Sequence, residues 1–111
     1  MGVSMPIIVQ QENYQQEVLD SSLPVVLDVY ATWCGPCQQM APIFAELERE
    51  YINVCRFAKL NVDEARELSI KLGVASIPTF IFIKEGKVKN KVVGYLSKQQ
   101  LKEKIEQHIK S

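Results

Sequence analysis

The two cysteines of Trp33-Cys34-Gly35-Pro36-Cys37 are the residues in this chain best suited to chemistry. They stand where a run of apolar strand residues stops and a helical pattern starts. On a helix, residues three apart lie roughly 5 Å from one another, close enough to join as a disulfide and open again. Cys34 precedes Pro36 and so falls at the helix N-terminus. There the positive end of the helix dipole and unpaired backbone N–H groups favour a thiolate. Cys34 is therefore the better nucleophile and is expected to be partly exposed. Cys37, one turn inside, is expected to be more shielded and able to attack a mixed disulfide on Cys34. Gly35 and Pro36 leave little side chain to obstruct an incoming disulfide. The competing readings are a chance pair or half of a zinc site. A structural zinc ion takes four ligands, and only Cys55 and His108 remain, at no matching spacing. The pattern points to dithiol–disulfide exchange.

Other residues stand out more weakly. Asp28 is the one charge in Val25-Val26-Leu27-Asp28-Val29-Tyr30. Burial there raises a carboxyl pKa and leaves a poised acid or base; a purely structural hydrogen bond is the alternative. Pro78, in Ser76-Ile77-Pro78-Thr79, begins a strand, and nothing local chooses a cis bond for it. Lys59 reads as a snorkelling strand-edge residue. Cys55 reads as a small buried hydrophobe, with a regulatory thiol as the alternative. His108 is distant in sequence from Cys34, which argues against a Cys–His hydrolase. Trp33, beside the thiol, reads as an interface aromatic rather than a core residue.

These residues need a scaffold, and the pattern supplies one. Ile7 to Val9 predicts a short strand, and Tyr14, Val18 and Leu19 one face of a first helix ending before Leu23-Pro24. The β-branched run Val25 to Tyr30 predicts a strand covered on both faces. Cys37, Met40, Ala41, Phe44, Leu47, Glu48 and Tyr51 trace a helical face, with Glu48 the exception and Pro42 a source of kinking. Val54 to Leu60 predicts the next strand. Asp63 is a candidate N-cap for a helix through Leu68 and Leu72 that Gly73 ends. Thr79 to Ile83 and Lys87 to Val93 flank Glu85-Gly86 as a hairpin. Ser97 and Gln100 form a capping box for a last helix with Leu101, Ile105 and Ile109 facing inward. The order β-α-β-α-β-α-β-β-α implies early parallel pairing through helical crossovers and a late antiparallel edge.

At 111 residues, 47% apolar and 23% charged, residues 1–111 read as one globular α/β domain, with residues 1–5 a flexible N-terminal extension. Thirteen basic and thirteen acidic residues cancel, so no global field draws nucleic acid or a membrane surface. No apolar run is long enough to span a bilayer, and the first residues carry no signal-peptide pattern. The expected compartment is cytoplasmic, where a Cys-x-x-Cys pair is catalytic or metal-binding rather than a staple.

Four stretches in order carry a resemblance: Val26 to Cys37, Ala58-Lys59-Leu60-Asn61-Val62-Asp63, Ile77-Pro78-Thr79, and Val93-Gly94-Tyr95-Leu96-Ser97-Lys98. Through them the sequence resembles the thioredoxin family over nearly its whole length. The resemblance implies the thioredoxin fold, a central five-stranded mixed sheet of order 1-3-2-4-5 flanked by four helices. It implies that Cys34 is the nucleophile and Cys37 the resolving cysteine. Asp28 would relay a proton, Lys59 would tune Asp28, and Pro78 would be cis and pack beside the disulfide. Trp33, Gly35, Pro36, Ile77, Pro78, Val93 and Gly94 would form the rim that docks substrates, with the Ile77 backbone pairing an extended segment. The implied activity is general protein-disulfide reduction by a monomer. It would use no bound cofactor beyond the Cys34–Cys37 disulfide and would be recycled by an NADPH-dependent flavoprotein, thioredoxin reductase. A rival of another class is a redox-independent binding or assembly subunit using the same rim. Gln38 stands where the family often has a basic residue, Ala75-Ser76 precede Ile77 in place of a pair such as Arg-Gly, and Tyr30 replaces a frequent Trp or Phe; these bear on partner choice and potential.

Overall fold

The run Val25–Tyr30 forms strand β2, and its first five residues are all buried. In the computed structural model, which describes residues 6–111, five strands assemble in the order β1-β3-β2-β4-β5. The remaining strands are β1 (Ile7–Ile8), β3 (Arg56–Asn61), β4 (Thr79–Lys84) and β5 (Lys87–Val93). The expected extension at residues 1–5 lies outside the described residues. β2 runs parallel to β3 and antiparallel to β4, while β1 joins β3 in parallel and β5 joins β4 antiparallel. The expected sheet order is therefore observed.

Side chains alternate along β2, so the sheet divides two cores. Val25, Leu27 and Val29 face a layer with Val18, Ala58, Leu60, Leu68, Ile81 and Ile83. Val26 faces the opposite layer with Phe44, Leu47, Phe57, Phe80, Phe82, Leu101 and Ile105. That second layer is closed by α1 (Gly35–Glu50) and α3 (Lys98–Lys110). Phe44 meets Phe57 edge-on at 5.0 Å between ring centroids, a favoured aromatic geometry. Pro42 lies inside α1 without dividing it. At the start of α3 the capping box forms as read: Ser97 Oγ accepts from the Gln100 N–H at 3.1 Å, and Gln100 Oε1 accepts from the Ser97 N–H at 2.9 Å.

Four local expectations differ from the structure. The first helix is a π-helical turn, Gln15–Leu19, so three α-helices and this turn flank the sheet among the described residues. The Asp20 N–H bonds to the Gln15 carbonyl, and a turn closed over five residues puts Tyr14, Val18 and Leu19 together against the first core layer. β3 begins at Arg56 rather than Val54, because the amides of Val54 and Cys55 are used on the Tyr51 carbonyl in closing α1. Asp63 does not cap α2 (Arg66–Lys71); Ala65 stands at that position with no side-chain bond, and the Asp63 carboxylate is engaged elsewhere. Gly73, at φ +74°, does end that helix. Finally, β3 is an interior strand, so Lys59 is not at a sheet edge.

His108 on α3 is buried, with Nε2 3.0 Å from the Ile83 carbonyl. Burial pushes its pKa below the ordinary 6.5, and the bond to Ile83 opposes this only in part. A depressed folded-state value means that protonation favours the unfolded chain, so the stability His108 allows is present above the unfolded value and lost as pH falls. Denaturant unfolding on either side of pH 6.5 should show wild type losing more stability on the acid side than His108→Gln. Equal losses in the two proteins would refute the assignment.

Candidate active site

The site forms where three connections meet beyond one end of the sheet. β2 delivers the chain through Ala31-Thr32-Trp33 to Cys34, which caps α1 in an extended conformation at φ −89°, ψ 115°. Cys34 can leave the helix while Gly35 and Pro36 enter it because a helical N-cap is not itself helical, and proline suits the first turn. Cys34 Sγ accepts the Cys37 N–H at 3.2 Å. The two cysteines form a disulfide with their Cα atoms 5.2 Å apart, an ordinary separation for such a bond. The Ile77 carbonyl oxygen lies 4.0 Å from Cys34 Sγ, and the Ile77–Pro78 bond is cis. Gly94, at φ +100°, gives its N–H to the Pro78 carbonyl at 2.8 Å. That left-handed backbone is one glycine adopts without strain.

Asp28 lies two residues in from the end of β2, on the α1 face of the sheet with Val26. It is only 1% exposed, and Oδ1 has no hydrogen-bond partner among the described residues. Burial raises its pKa from 3.8 to about 7, against the opposing charge of Lys59. Lys59 pairs with Asp28 across β2 and β3, and its Nζ sits 4.4 Å over the centroid of the Tyr30 ring. A cation in that position is attracted by the ring quadrupole. A cavity of about 220 Å³ lies here, lined by Tyr30, Thr32, Cys37, Gln38 and Lys59 among others. Gln38 donates through Nε2 to the Thr32 carbonyl at 2.7 Å, bracing the loop before the cysteines.

The structure thus brings Cys34, Cys37 and Ile77 together, with Pro78 joined to Ile77 by the cis bond, sets Asp28 and Lys59 side by side, and places the Gly94 amide on the Pro78 carbonyl. Trp33 is 68% exposed and so is not a core residue. Val93 is likewise open to solvent. Cys34 corrects its expectation. It is buried at 6% exposure, against 4% for Cys37, because Val62 and Ile77 pack on the small cluster of Ala31 and the two cysteines. Sequence reasoning missed the wall on the α2 side. Asp63 accepts from Trp33 Nε1 at 2.8 Å, and Arg66, Ile70 and Val74 line a cavity with Trp33 and Ile77. The available signal was Ile70, an apolar residue out of phase with inward-facing Leu68 and Leu72.

The sequence profile of the family described as Thioredoxin matches residues 5–107. The chain belongs to the thioredoxin family. Its similarity to the thioredoxin of Chlorobaculum thiosulfatiphilum is 43% identity over 98 residues, which is 88% of this chain and 91% of the relative. The thioredoxin of Haemophilus influenzae is 40% identical over 101 residues, 91% of this chain and 94% of that protein. The chloroplastic M-type thioredoxin of Pisum sativum is 41% identical over 102 residues, covering 92% of this chain and 59% of the longer plant protein. Membership in the thioredoxin family and the Cys34–Cys37 bond together make the chemistry dithiol–disulfide exchange, with a redox group built from the protein's own side chains. Among the described residues no three His, Cys, Asp or Glu gather as metal ligands, and no helix is long and apolar enough to cross a membrane.

A pKa raised by burial has a sign that can be tested. The Asp28 carboxyl ionises near 3.8 in the unfolded chain and at about 7 in the fold. Its contribution to stability is therefore complete below the lower value and lost as pH rises through the upper one. Asp28→Asn removes that loss. In the oxidised protein the variant should be more stable than wild type by on the order of 4 kcal/mol at alkaline pH, with the gap closing toward pH 3.8. A variant no more stable than wild type above pH 7 would refute the buried, uncompensated carboxyl.

Proposed function

We propose that this protein is a general protein-disulfide reductase of the cytoplasm, acting as a monomer. The reading is carried by one observation: the Cys34–Cys37 disulfide sits at the N-cap of α1. In the reduced protein the Cys34 thiolate attacks a client disulfide, forming a mixed disulfide and releasing one client sulfur as a thiolate that takes up a proton. The helix N-terminus favours that thiolate, a property for which the thioredoxin family is the standard example. Cys37 then gives its proton to the Asp28 carboxylate and attacks Cys34 Sγ, closing the Cys34–Cys37 bond and expelling the second client thiolate. Two electrons pass from the dithiol to the client. Lys59 tunes Asp28 by favouring its charged form, and the cavity beside Cys37 and Lys59 has room for water to carry the proton onward. A carboxyl near neutral pKa suits a base that must take and return a proton at physiological pH.

The rim supports docking of an extended client segment. Trp33, Gly35, Pro36 and Val93 are exposed, and Ile77 and Gly94 are half-buried. Pro78 lies beneath, buried, and would hold the Ile77 carbonyl toward the reacting sulfurs. The oxidised protein would be returned to the dithiol by an NADPH-dependent flavoprotein reductase.

Insulin reduction coupled to such a reductase tests the cycle. Cys34→Ser should show no activity above the uncatalysed rate; activity equal to wild type would overturn the assignment. Cys37→Ser should accumulate client mixed disulfides visible by mass spectrometry, and a clean failure to trap any would remove its resolving role. Asp28→Asn should slow resolution by about a hundredfold near neutral pH while leaving the first attack close to the wild-type rate.

A further inference from the structure

On the α2 side of the disulfide lies a cavity of about 330 Å³. Trp33, Ile70, Val74 and Ile77 give it apolar walls, and Asp63 and Arg66 are its charged members. Trp33 and Ile77 belong at once to this cavity and to the surroundings of Cys34, so the cavity is continuous with the redox site. The two charges are not equivalent. Asp63 already accepts the Trp33 indole N–H through Oδ2. Arg66, the first residue of α2, is exposed, and its side chain makes no ion pair or hydrogen bond with any described residue. Two cations of α3, by contrast, are committed: Lys98 pairs with Glu46 and Glu50, and Lys102 pairs with Glu50. A guanidinium is a planar fork of donors that matches a carboxylate in two parallel bonds. At the rim of an apolar hollow it has both a partner to gain and a register to enforce.

We propose that Arg66 is a specificity-determining residue, and that client segments carrying Asp or Glu close to the disulfide cysteine are reduced in preference to those carrying Lys. This rests on the reductase reading above. The client lays an apolar side chain against Trp33 and Ile70 and turns the carboxylate to Arg66, which brings its disulfide to Cys34. A charge at a rim acts on encounter and orientation more than on the chemical step, so the preference is one of rate at low client concentration and weakens as salt screens it.

The probes are short synthetic peptides with one cysteine disulfide-bonded to 2-mercaptoethanol. They are identical except for Glu, Gln or Lys placed close to the cysteine on either side. Single-turnover reduction by the pre-reduced protein is followed by acid quench and chromatography, and the ratio of Glu-peptide to Lys-peptide rates is taken within each protein. That ratio is insensitive to any general loss in a variant. Wild type should favour the Glu peptide by about two- to fivefold at low salt, the range of one exposed ion pair, falling toward unity at high salt. Arg66→Gln should bring the ratio to unity and Arg66→Glu should invert it. An equal ratio in wild type and Arg66→Glu, or a wild-type preference for the Lys peptide, overturns the proposal. Hydroxyethyl disulfide, small and neutral, separates the two levels of argument. Wild type that reduces it but shows no charge preference loses only the role of Arg66, whereas wild type that cannot reduce it loses the reductase reading itself.

Discussion

The burial of β2 on both faces is the constraint on which the rest of the structure depends. A strand with β3 on one side, β4 on the other and an apolar layer above and below has no solvent to satisfy anything but its own ladder. Every side chain from Val25 to Val29 must then be apolar or be held at a cost. Four of the five are apolar, and Asp28 is the exception. The same burial fixes register: slipping the strand by one residue would exchange its two faces, moving Asp28 from the α1 layer into the layer of Leu27 and Val29. Asp28 therefore stays opposite Lys59, and the chain leaving Tyr30 reaches Cys34 at a defined point.

What the rigid strand delivers, a few polar bonds hold in place. The Val62 amide on the Tyr30 carbonyl and the Trp33 indole on Asp63 tie the chain leaving β2 to the chain leaving β3, and the Asp63 amide on Asn61 Oδ1 braces the latter. The Gly94 amide on the Pro78 carbonyl ties the end of β5 to the start of β4. The site is thus a set of strand ends and loops clamped to one another, and its walls owe their positions to the sheet rather than to local flexibility.

Much of this was legible in the sequence, and the reasons are specific. β2, α1 and α3 are long, strongly patterned and capped by residues with known geometry, so Val25 to Tyr30, the Cys37-to-Tyr51 face and the Ser97/Gln100 box read correctly. Cys34, Cys37 and Asp28 were legible because each breaks its surroundings in type. The errors arose where a short-range rule met a long-range partner. Asp63 has the residue type of an N-cap, but the Trp33 indole thirty positions away claims its carboxylate. Lys59 reads as an edge residue because no local pattern reveals that β1 will cover β3 on its far side. Cys34 reads as exposed because nothing near it in sequence announces that Ile77, 43 positions on, will lie against its sulfur. The burial of His108 has no local signal, since its ring pairs with the Ile83 carbonyl of another element.

The close cover over Cys34 sets a traffic rule. Its sulfur is nearly enclosed, with Val62 and Ile77 packed on the cysteine cluster and Trp33 standing beside it. The disulfide spans only three positions and belongs to neither of the two large core layers, so opening it leaves the scaffold standing and the doorway in place. Whatever gives electrons to this protein must come to the same small opening as whatever takes them. Donor and acceptor cannot be there together. Electrons must move in alternating visits, one partner leaving before the next arrives, and an excess of either partner will hold up the other. Throughput is then governed by how quickly the doorway is vacated as well as by the speed of sulfur exchange inside it.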